Sequence, residues 1–179
     1  MALPRKKKRY GVVVGARPNF IKAAPFLRRA KDYSDLEFIL IHTGQHFDKK
    51  MSDVFFDELE IPRPHIHLKI KGEFHTEKIG KMFSGLKREI KKSNIEGLIV
   101  FGDVNSTLAG AIAAVKENMP LFHVEAGLRS HDRRMPEEIN RVIIDHLSDM
   151  LFTSEPSANK NLSLEGILKN KIKYVGNIM

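Results

Sequence analysis

The segment from His123 to Arg141 concentrates acidic and basic side chains between two apolar stretches. Carboxylates can transfer protons, and arginine binds anionic oxygens through two parallel hydrogen bonds. Held between rigid elements, such a set indicates proton transfer on an anionic, oxygen-rich substrate. Its four carboxylates are Glu125, Asp132, Glu137 and Glu138, and its four arginines are Arg129, Arg133, Arg134 and Arg141.

Strands and helices are predicted to alternate along the whole chain and to position this segment. The pattern predicts a parallel sheet covered by helices on both faces. Residues 65–70 would form a short edge strand, and Pro25 predicts a kink or a late start in the first helix. The strands are predicted at 10–14, 36–41, 65–70, 97–101, 121–124, 150–153 and 172–175, and the helices at 19–32, 48–58, 75–93, 105–117, 136–148 and 156–165.

Polar motifs follow the predicted strands directly. In an open α/β sheet, ligands bind beyond the carboxyl ends of the strands. We therefore expect these motifs to meet at one edge of the sheet and form a binding site there. The residues expected at this edge are Arg17, His42, Gln45, Asp103, Asn105 and Glu125.

Two of these motifs have both a functional and a plain structural interpretation. Arg17 at a helix N-terminus suits a phosphate, but it also fits a simple tight turn. His42 and His46 have a spacing that permits a metal, but hydrogen bonding, ring stacking or packing is the preferred role. The sequence therefore predicts no metal site.

The carboxylates allow the same two interpretations. Asp103 would bind a sugar hydroxyl, bind a cation or accept a proton, or it would cap the next helix. Glu125 has a structural alternative as the ion-pair partner of Arg129 or Arg141. Glu137, just after a proline, fits ordinary helix-start chemistry when it is considered alone.

Composition narrows the class of protein. The 179 residues suffice for one domain, and the absence of cysteine excludes disulfides and a thiolate nucleophile. Five of the charges behind the net +8 lie in Arg5–Arg9, which we interpret as part of a solvated arm over residues 1–9 rather than as a nucleic-acid site. No stretch resembles a signal peptide or a membrane span, so a cytoplasmic location is expected.

Six motifs in one order resemble the non-hydrolysing UDP-N-acetylglucosamine 2-epimerase family. The resemblance extends from about Tyr10 to Met179. The motifs are Gly-Ala-Arg-Pro-Asn-Phe-Ile-Lys at 15–22, His-Thr-Gly-Gln-His at 42–46, Gly-Asp-Val-Asn-Ser-Thr at 102–107, His-Val-Glu-Ala-Gly-Leu-Arg at 123–129, Pro-Glu-Glu-Ile-Asn-Arg at 136–141 and Val-Gly-Asn at 175–177.

The resemblance implies a fold, a reaction and a set of site residues. Residues 10–179 would form the Rossmann-like amino-terminal half of a GT-B fold. The reaction would interconvert UDP-N-acetylglucosamine (UDP-GlcNAc) and UDP-N-acetylmannosamine (UDP-ManNAc) through UDP elimination to 2-acetamidoglucal and re-addition, without a cofactor or metal. The matching acid/base residues are Asp103, Glu125 and Glu137, and the matching substrate-binding residues are Arg17, Lys22, His42, Gln45 and Arg129.

The resemblance also implies that a second domain, which supplies most of the nucleotide contacts, follows the Val175-Gly-Asn177 motif in the family. We therefore expect little activity from residues 1–179 alone, a homodimer as in the family, and a separate carboxyl-terminal half as one alternative. Two other functions stay open, a GT-B glycosyltransferase half-domain and a stand-alone nucleotide-sugar-binding domain.

Overall fold

The computed structural model describes residues 7–44, 56–70 and 75–178. Within them the predicted alternation of strands and helices is confirmed. Of the helix predicted at 48–58, only residues 56–58 are described, and they are helical. The elements in chain order are β1 Lys8–Val14, α1 Arg17–Ala30, β2 Leu36–His42, β3 Ile66–His67, α2 His75–Lys92, β4 Gly97–Phe101, α3 Asn105–Lys116, β5 Leu121–Val124, α4 Pro136–Leu147, β6 Met150–Thr153, α5 Pro156–Leu164, a 3-10 helix Lys169–Lys171 and β7 Ile172–Tyr174.

The strands form one seven-stranded sheet in the order β3-β2-β1-β4-β5-β6-β7, and every neighbouring pair is parallel. From β1 the chain adds β2 and β3 on one side, and then adds β4 to β7 on the other side. The strand order therefore reverses next to β1. The register pairs Val14 with His42 and Phe101 with Val124, so that the loops after these strands leave from one edge. The predicted Rossmann-like α/β sheet is therefore observed.

Side chains alternate between two apolar layers, one on each face of the sheet. On one face, Val12 and Val14 of β1 pack against α1 through residues such as Phe20 and Leu27. On the other, Val13 packs with residues of α2, α3 and α4. A smaller third cluster joins β6 to α5 and is formed by Ala126, Leu151 and Leu162. Helices therefore cover both faces, as the sequence predicts.

Helix α3 approaches the sheet unusually closely because its inward side chains are small. A Cβ atom on Gly110 would lie 3.0 Å from Cγ1 of Val100 and 3.5 Å from the side chain of Val13. Ala109, Ala113 and their small neighbours are completely buried. The predicted close packing of this helix is confirmed.

The first strand and the first helix differ from expectation at their starts. Strand β1 begins at Lys8, and Arg9 donates to Glu37 over 2.7 Å, so these two residues belong to the sheet and not to the arm predicted over 1–9. Helix α1 begins at Arg17 and continues unbroken through Pro25. The predicted late start is wrong.

Helix α4 buries a different face from the one expected. Apolar spacing in the sequence would turn Ile139 and Ile143 inward, but they are 43% and 39% exposed. The buried side consists of Glu138, Asn140, Ile144 and Asp145. Three of these four side chains are polar, which already indicates that α4 serves a hydrogen-bonding network.

Within the described ranges, none of the helices combines the length and the apolar character needed to cross a membrane.

Candidate functional site

The carboxyl edge of the sheet collects most of the polar residues predicted there. His42 ends β2, Arg17 begins α1, and Asp103 and Glu125 lie just after β4 and β5. Glu137 stands in the first turn of α4. Gln45 lies outside the described residues. The structure thus brings carboxylates from three separate chain segments to one edge.

Glu125 forms an ion pair with Lys22, a residue of α1. The two side chains are only 18% and 15% exposed. The sequence had suggested Arg129 or Arg141 as the partner, and neither is. Glu125 has a φ of 68°, an uncommon conformation for a residue with a side chain. Such local strain is concentrated at functional sites, which favours a functional role for this carboxylate.

The Glu125–Lys22 pair rests directly on the backbone of the turn that carries Asp103. A Cβ atom on Gly102 would lie 3.0 Å from Nζ of Lys22 and 3.2 Å from Oε2 of Glu125. Gly102 also has a φ of 61°, which glycine adopts without penalty. A glycine at this position therefore lets the Glu125–Lys22 pair approach the backbone of the turn that carries Asp103.

Asp103 is held by Arg141, which reaches it from α4. Nε of Arg141 donates to Oδ2 of Asp103 over 2.8 Å, and Nη1 donates to Oε2 of Glu138 over the same distance. One guanidinium therefore joins Asp103 to a second, buried carboxylate.

Glu138 anchors the loop that precedes α4. Its two oxygens accept hydrogen bonds from the amides of Ser130 and His131 over 2.9 and 3.0 Å. Burial alone would raise the pKa of Glu138, but these bonds and the bond from Arg141 outweigh it and lower the pKa to about 2. Glu138 is therefore ionised at neutral pH and acts as a structural group, as the sequence had allowed.

The turn over residues 101–103 is fixed at each of its three carbonyl oxygens. Every one is contacted by a buried or half-buried side chain from another element. Asn19 and Thr107 each donate to the carbonyl of Phe101 over 2.7 Å. Nε2 of His123 lies 2.8 Å from the carbonyl oxygen of Gly102, and Asn140 donates to the carbonyl of Asp103 over 2.7 Å. The backbone that carries Asp103 is thus pre-organised, a property expected of a catalytic turn.

A cleft of about 780 Å³ opens beside this turn, where the N-termini of α1, α3 and α4 converge. Arg17, Asn105 and Glu137 supply polar groups to its wall, and Ile79 and Ile139 supply apolar ones. Helix N-termini and an arginine attract anions, whereas an exposed carboxylate suits proton transfer. The cleft therefore fits a ligand with a negatively charged part and a polar reactive part.

His42 lies beneath this edge, with its side chain completely buried. Its ring stacks on that of His67 at 4.4 Å, and its Nδ1 accepts from the amide of Gly44 over 2.8 Å. Burial, and to a smaller degree the charge of His67, lowers the pKa of His42 to about 4. A neutral, stacked ring fits the packing role that the sequence favoured over metal binding, and it does not fit direct ligand contact.

Arg129 occupies a position that does not fit the predicted substrate contact. Its side chain is 1% exposed and pairs with Asp145 over 2.8 Å and with Glu165 over 2.6 Å. The guanidinium has no surface left for a ligand, so we correct its predicted role to a structural one. The hydrogen-bonded cluster around Asp145 was missed, although Asp145 interrupts the apolar pattern of α4.

Comparison with known proteins gives one family. The family model for UDP-N-acetylglucosamine 2-epimerase matches residues 28–179. A UDP-N-acetylglucosamine 2-epimerase homolog of Methanococcus maripaludis is 48% identical over 167 residues, which cover 93% of this chain and 46% of the relative. A UDP-2,3-diacetamido-2,3-dideoxy-D-glucuronate 2-epimerase of Pseudomonas aeruginosa is 46% identical over 169 residues, covering 93% and 48%.

Solved structures agree with this result. The crystal structure of Methanocaldococcus jannaschii UDP-GlcNAc 2-epimerase, in complex with UDP-GlcNAc and UDP, superimposes with a TM-score of 0.90 at 43% identity. The match covers 94% of this chain and 46% of that one. The chain thus spans about half the length of the curated relatives it matches.

Proposed function

The chain belongs to the UDP-N-acetylglucosamine 2-epimerase family, and from this membership we propose that it carries the acid/base residues of a UDP-sugar 2-epimerase. The substrate would be UDP-GlcNAc, converted to UDP-ManNAc. In this reaction the C2 proton is removed, UDP leaves with formation of 2-acetamidoglucal, and UDP adds back as C2 receives a proton on its other face. The observation that supports the proposal best is the pair of carboxylates that follow adjacent strands, Asp103 after β4 and Glu125 after β5, with Glu125 packed against Gly102 of the β4 turn.

Inversion at C2 needs one proton-transfer group on each face of the sugar. We propose that Asp103, Glu125 and Glu137 provide these groups. Asp103 and Glu125 are each fixed by a cation from a helix, Arg141 and Lys22 respectively. Glu137 is exposed at the cleft, where a bound sugar would reach it.

The anionic part of the substrate would lie towards the start of α1. Arg17 lines the cleft there beside the helix N-terminus, a combination that suits a diphosphate. Lys22 lies five residues further along α1 and forms an ion pair with Glu125. We therefore assign phosphate binding to Arg17, and to Lys22 the holding of Glu125.

A second sugar nucleotide is also a candidate substrate. The Pseudomonas aeruginosa relative named for UDP-2,3-diacetamido-2,3-dideoxy-D-glucuronate is 46% identical to this chain, and the Methanocaldococcus jannaschii UDP-GlcNAc enzyme is 44% identical. Overall identity therefore does not separate the two sugars. The reaction at C2 is a 2-epimerisation in both names, so the proposed roles of the carboxylates are the same.

We further propose that conversion needs a second domain, because the chain spans about half of its relatives. The test fuses residues 1–179 to the carboxyl-terminal part of the Methanocaldococcus jannaschii enzyme. In heavy water, the fused protein should form UDP-ManNAc from UDP-GlcNAc and incorporate solvent deuterium at C2. Residues 1–179 alone should show little of either.

The same fusion carrying Asp103→Asn is the matched control and should lose both signals. A folded fusion that binds UDP but exchanges no C2 proton with either sugar would refute the epimerase proposal. Transfer of the sugar to an acceptor without C2 exchange would instead favour the glycosyltransferase alternative. Robust conversion by residues 1–179 alone would refute the need for a second domain.

A further inference from the structure

A cluster of four charged or titratable side chains lies buried behind the candidate site and takes no part in the proposed chemistry. It consists of His123, Asp145, Arg129 and Glu165, and the first three side chains are at most 1% exposed. Nδ1 of His123 lies 2.7 Å from Oδ1 of Asp145. Arg129 pairs with the other oxygen of Asp145 over 2.8 Å and with Glu165 over 2.6 Å.

Both ring nitrogens of His123 face oxygen atoms that accept hydrogen bonds. Nε2 lies 2.8 Å from the carbonyl oxygen of Gly102, which has no hydrogen to give, so Nε2 must carry the hydrogen of this bond. Nδ1 faces the carboxylate of Asp145.

The surroundings of Asp145 favour the ionised form. Its Oδ2 accepts from the amide of Gly127 over 3.1 Å and from Arg129, and both donors stabilise a negative charge. Burial raises the pKa of Asp145, but the hydrogen bond with His123 and the charge and hydrogen bond of Arg129 outweigh it, and the net pKa lies below its ordinary value. The described groups that face His123 thus comprise one carboxylate and one carbonyl oxygen.

From this geometry we infer that His123 and Asp145 together position the two strand-end carboxylates of the site. Nε2 of His123 fixes the carbonyl of Gly102, the residue directly before Asp103. Asp145 fixes the amide of Gly127, two residues after Glu125. One carboxylate of α4 therefore sets the turn after β4 and the turn after β5 relative to each other.

The positioning role rests on the proposed function, because its readout is the C2 proton transfer assigned to Asp103 and Glu125.

The positioning role is tested kinetically in whichever form shows C2 exchange, the chain alone or the fused protein. His123→Gln keeps an N–H donor but not the rigid ring that reaches both partners, and Asp145→Asn keeps the shape but loses the charge and replaces one of the two acceptor oxygens with an NH2 group. Each should lower kcat on the order of 10²-fold because the reacting carboxylates shift, while KM changes less than about threefold. Glu165→Gln is the matched control, since Glu165 belongs to the cluster but contacts neither turn, and it should leave kcat unchanged.

The two failures are distinguishable. If His123→Gln and Asp145→Asn fold but keep their kcat, or if Glu165→Gln lowers kcat equally, the cluster only stabilises the fold and the positioning role is refuted. If no form of the wild-type protein exchanges the C2 proton, the proposed function fails, and with it the positioning role.

Discussion

The three proposed acid/base carboxylates differ in their surroundings, and this allows one prediction at the residue scale. Glu137 is exposed at the cleft, whereas Asp103 and Glu125 are ion-paired. Replacing any of the three by its amide should reduce C2 deuterium exchange about 10²- to 10⁴-fold, the usual contribution of a general acid or base. Exchange is followed by NMR in the active form of the protein.

Asp132 is the matched control for this series. It belongs to the same segment, but its carboxylate pairs with the exposed Arg134. Asp132→Asn should therefore retain the wild-type rate of exchange. Loss of exchange in this variant as well would assign the effect to the charge of the segment rather than to three specific groups.

Glu138 gives a second residue-scale prediction, which concerns stability. In Glu138→Gln an NH2 group replaces one of the two oxygens that accept from the backbone amides of Ser130 and His131. One of these amides then loses its acceptor, which should lower the free energy of unfolding at pH 7 by roughly 1–3 kcal/mol. The folded pKa of about 2 lies below the ordinary 4.5, so the ionised group stabilises the fold above about pH 4.5 and loses this effect as the pH falls towards 2. Urea denaturation should thus show a difference between variant and wild type that narrows through this range.

A constant difference at every pH would show that the charge of Glu138 does not matter. Exposed Glu137→Gln serves as the comparison and should change the stability little at any pH.

Side-chain partners were the least predictable feature from sequence. The strand-end location of Asp103 and Glu125 follows from the alternation of elements and is observed. The partner of Glu125 was expected within the same segment, at Arg129 or Arg141, but it is Lys22 from the first helix. Pairing of this kind depends on how α1 crosses the sheet edge, which local sequence patterns do not encode.

At the scale of elements, the contact between the β5 turn and α5 depends on one glycine. Gly127 has a φ of 80°, and an added Cβ would lie 2.7 Å from the carbonyl oxygen of Ala158 and 2.9 Å from Leu162. Gly127→Ala should therefore incur about 1–2 kcal/mol for the left-handed backbone and a further 1–3 kcal/mol for the clash. Urea denaturation measures the sum.

Gly166 separates these two contributions. It has a φ of 82°, but an added Cβ would meet no atom within 4 Å. Gly166→Ala should therefore show only the backbone part, about 1–2 kcal/mol. Equal losses in the two variants would contradict close packing of the β5 turn on α5.

Element positions were well predicted, but the buried face of α4 was not. Hydrophobic spacing placed Ile139 and Ile143 inward, whereas Glu138 and Asp145 are the residues that point to the protein interior. Periodicity assumes that burial follows apolarity. In α4 the assumption fails because its inner face supplies hydrogen bonds to three turns of the site, which outweighs the burial of two isoleucines.

At the scale of the whole molecule, the order of the sheet creates the site. Strands β2, β1, β4 and β5 are neighbours, so the loops after them open at one edge. This much follows from repeated strand–helix alternation, because parallel connections in one sheet are right-handed. The depth of the cleft and the burial of His42 and Arg129 do not follow, because they depend on how the helices pack.

The β6–β7 end of the molecule should open more readily than the rest. Its apolar cluster has three buried members, Ala126, Leu151 and Leu162, whereas the central strands share two large layers. Strand β7 lies at the sheet edge, and its last two residues are exposed. Regions with few buried contacts open locally at lower free energy than the whole protein unfolds. Amides in residues 150–178 should thus exchange with heavy water faster than those of β1 and β4.

Two variants distinguish local from global opening, with exchange measured by mass spectrometry. Leu162→Ala should speed exchange in residues 150–178 and leave β1 nearly unchanged, whereas Leu98→Ala, in the central strand β4, should speed it throughout. A uniform effect of Leu162→Ala would show instead that the chain opens as one unit. Local opening would matter for the site, because residues 175–178 form one wall of a small cavity beside Glu125 and Lys22.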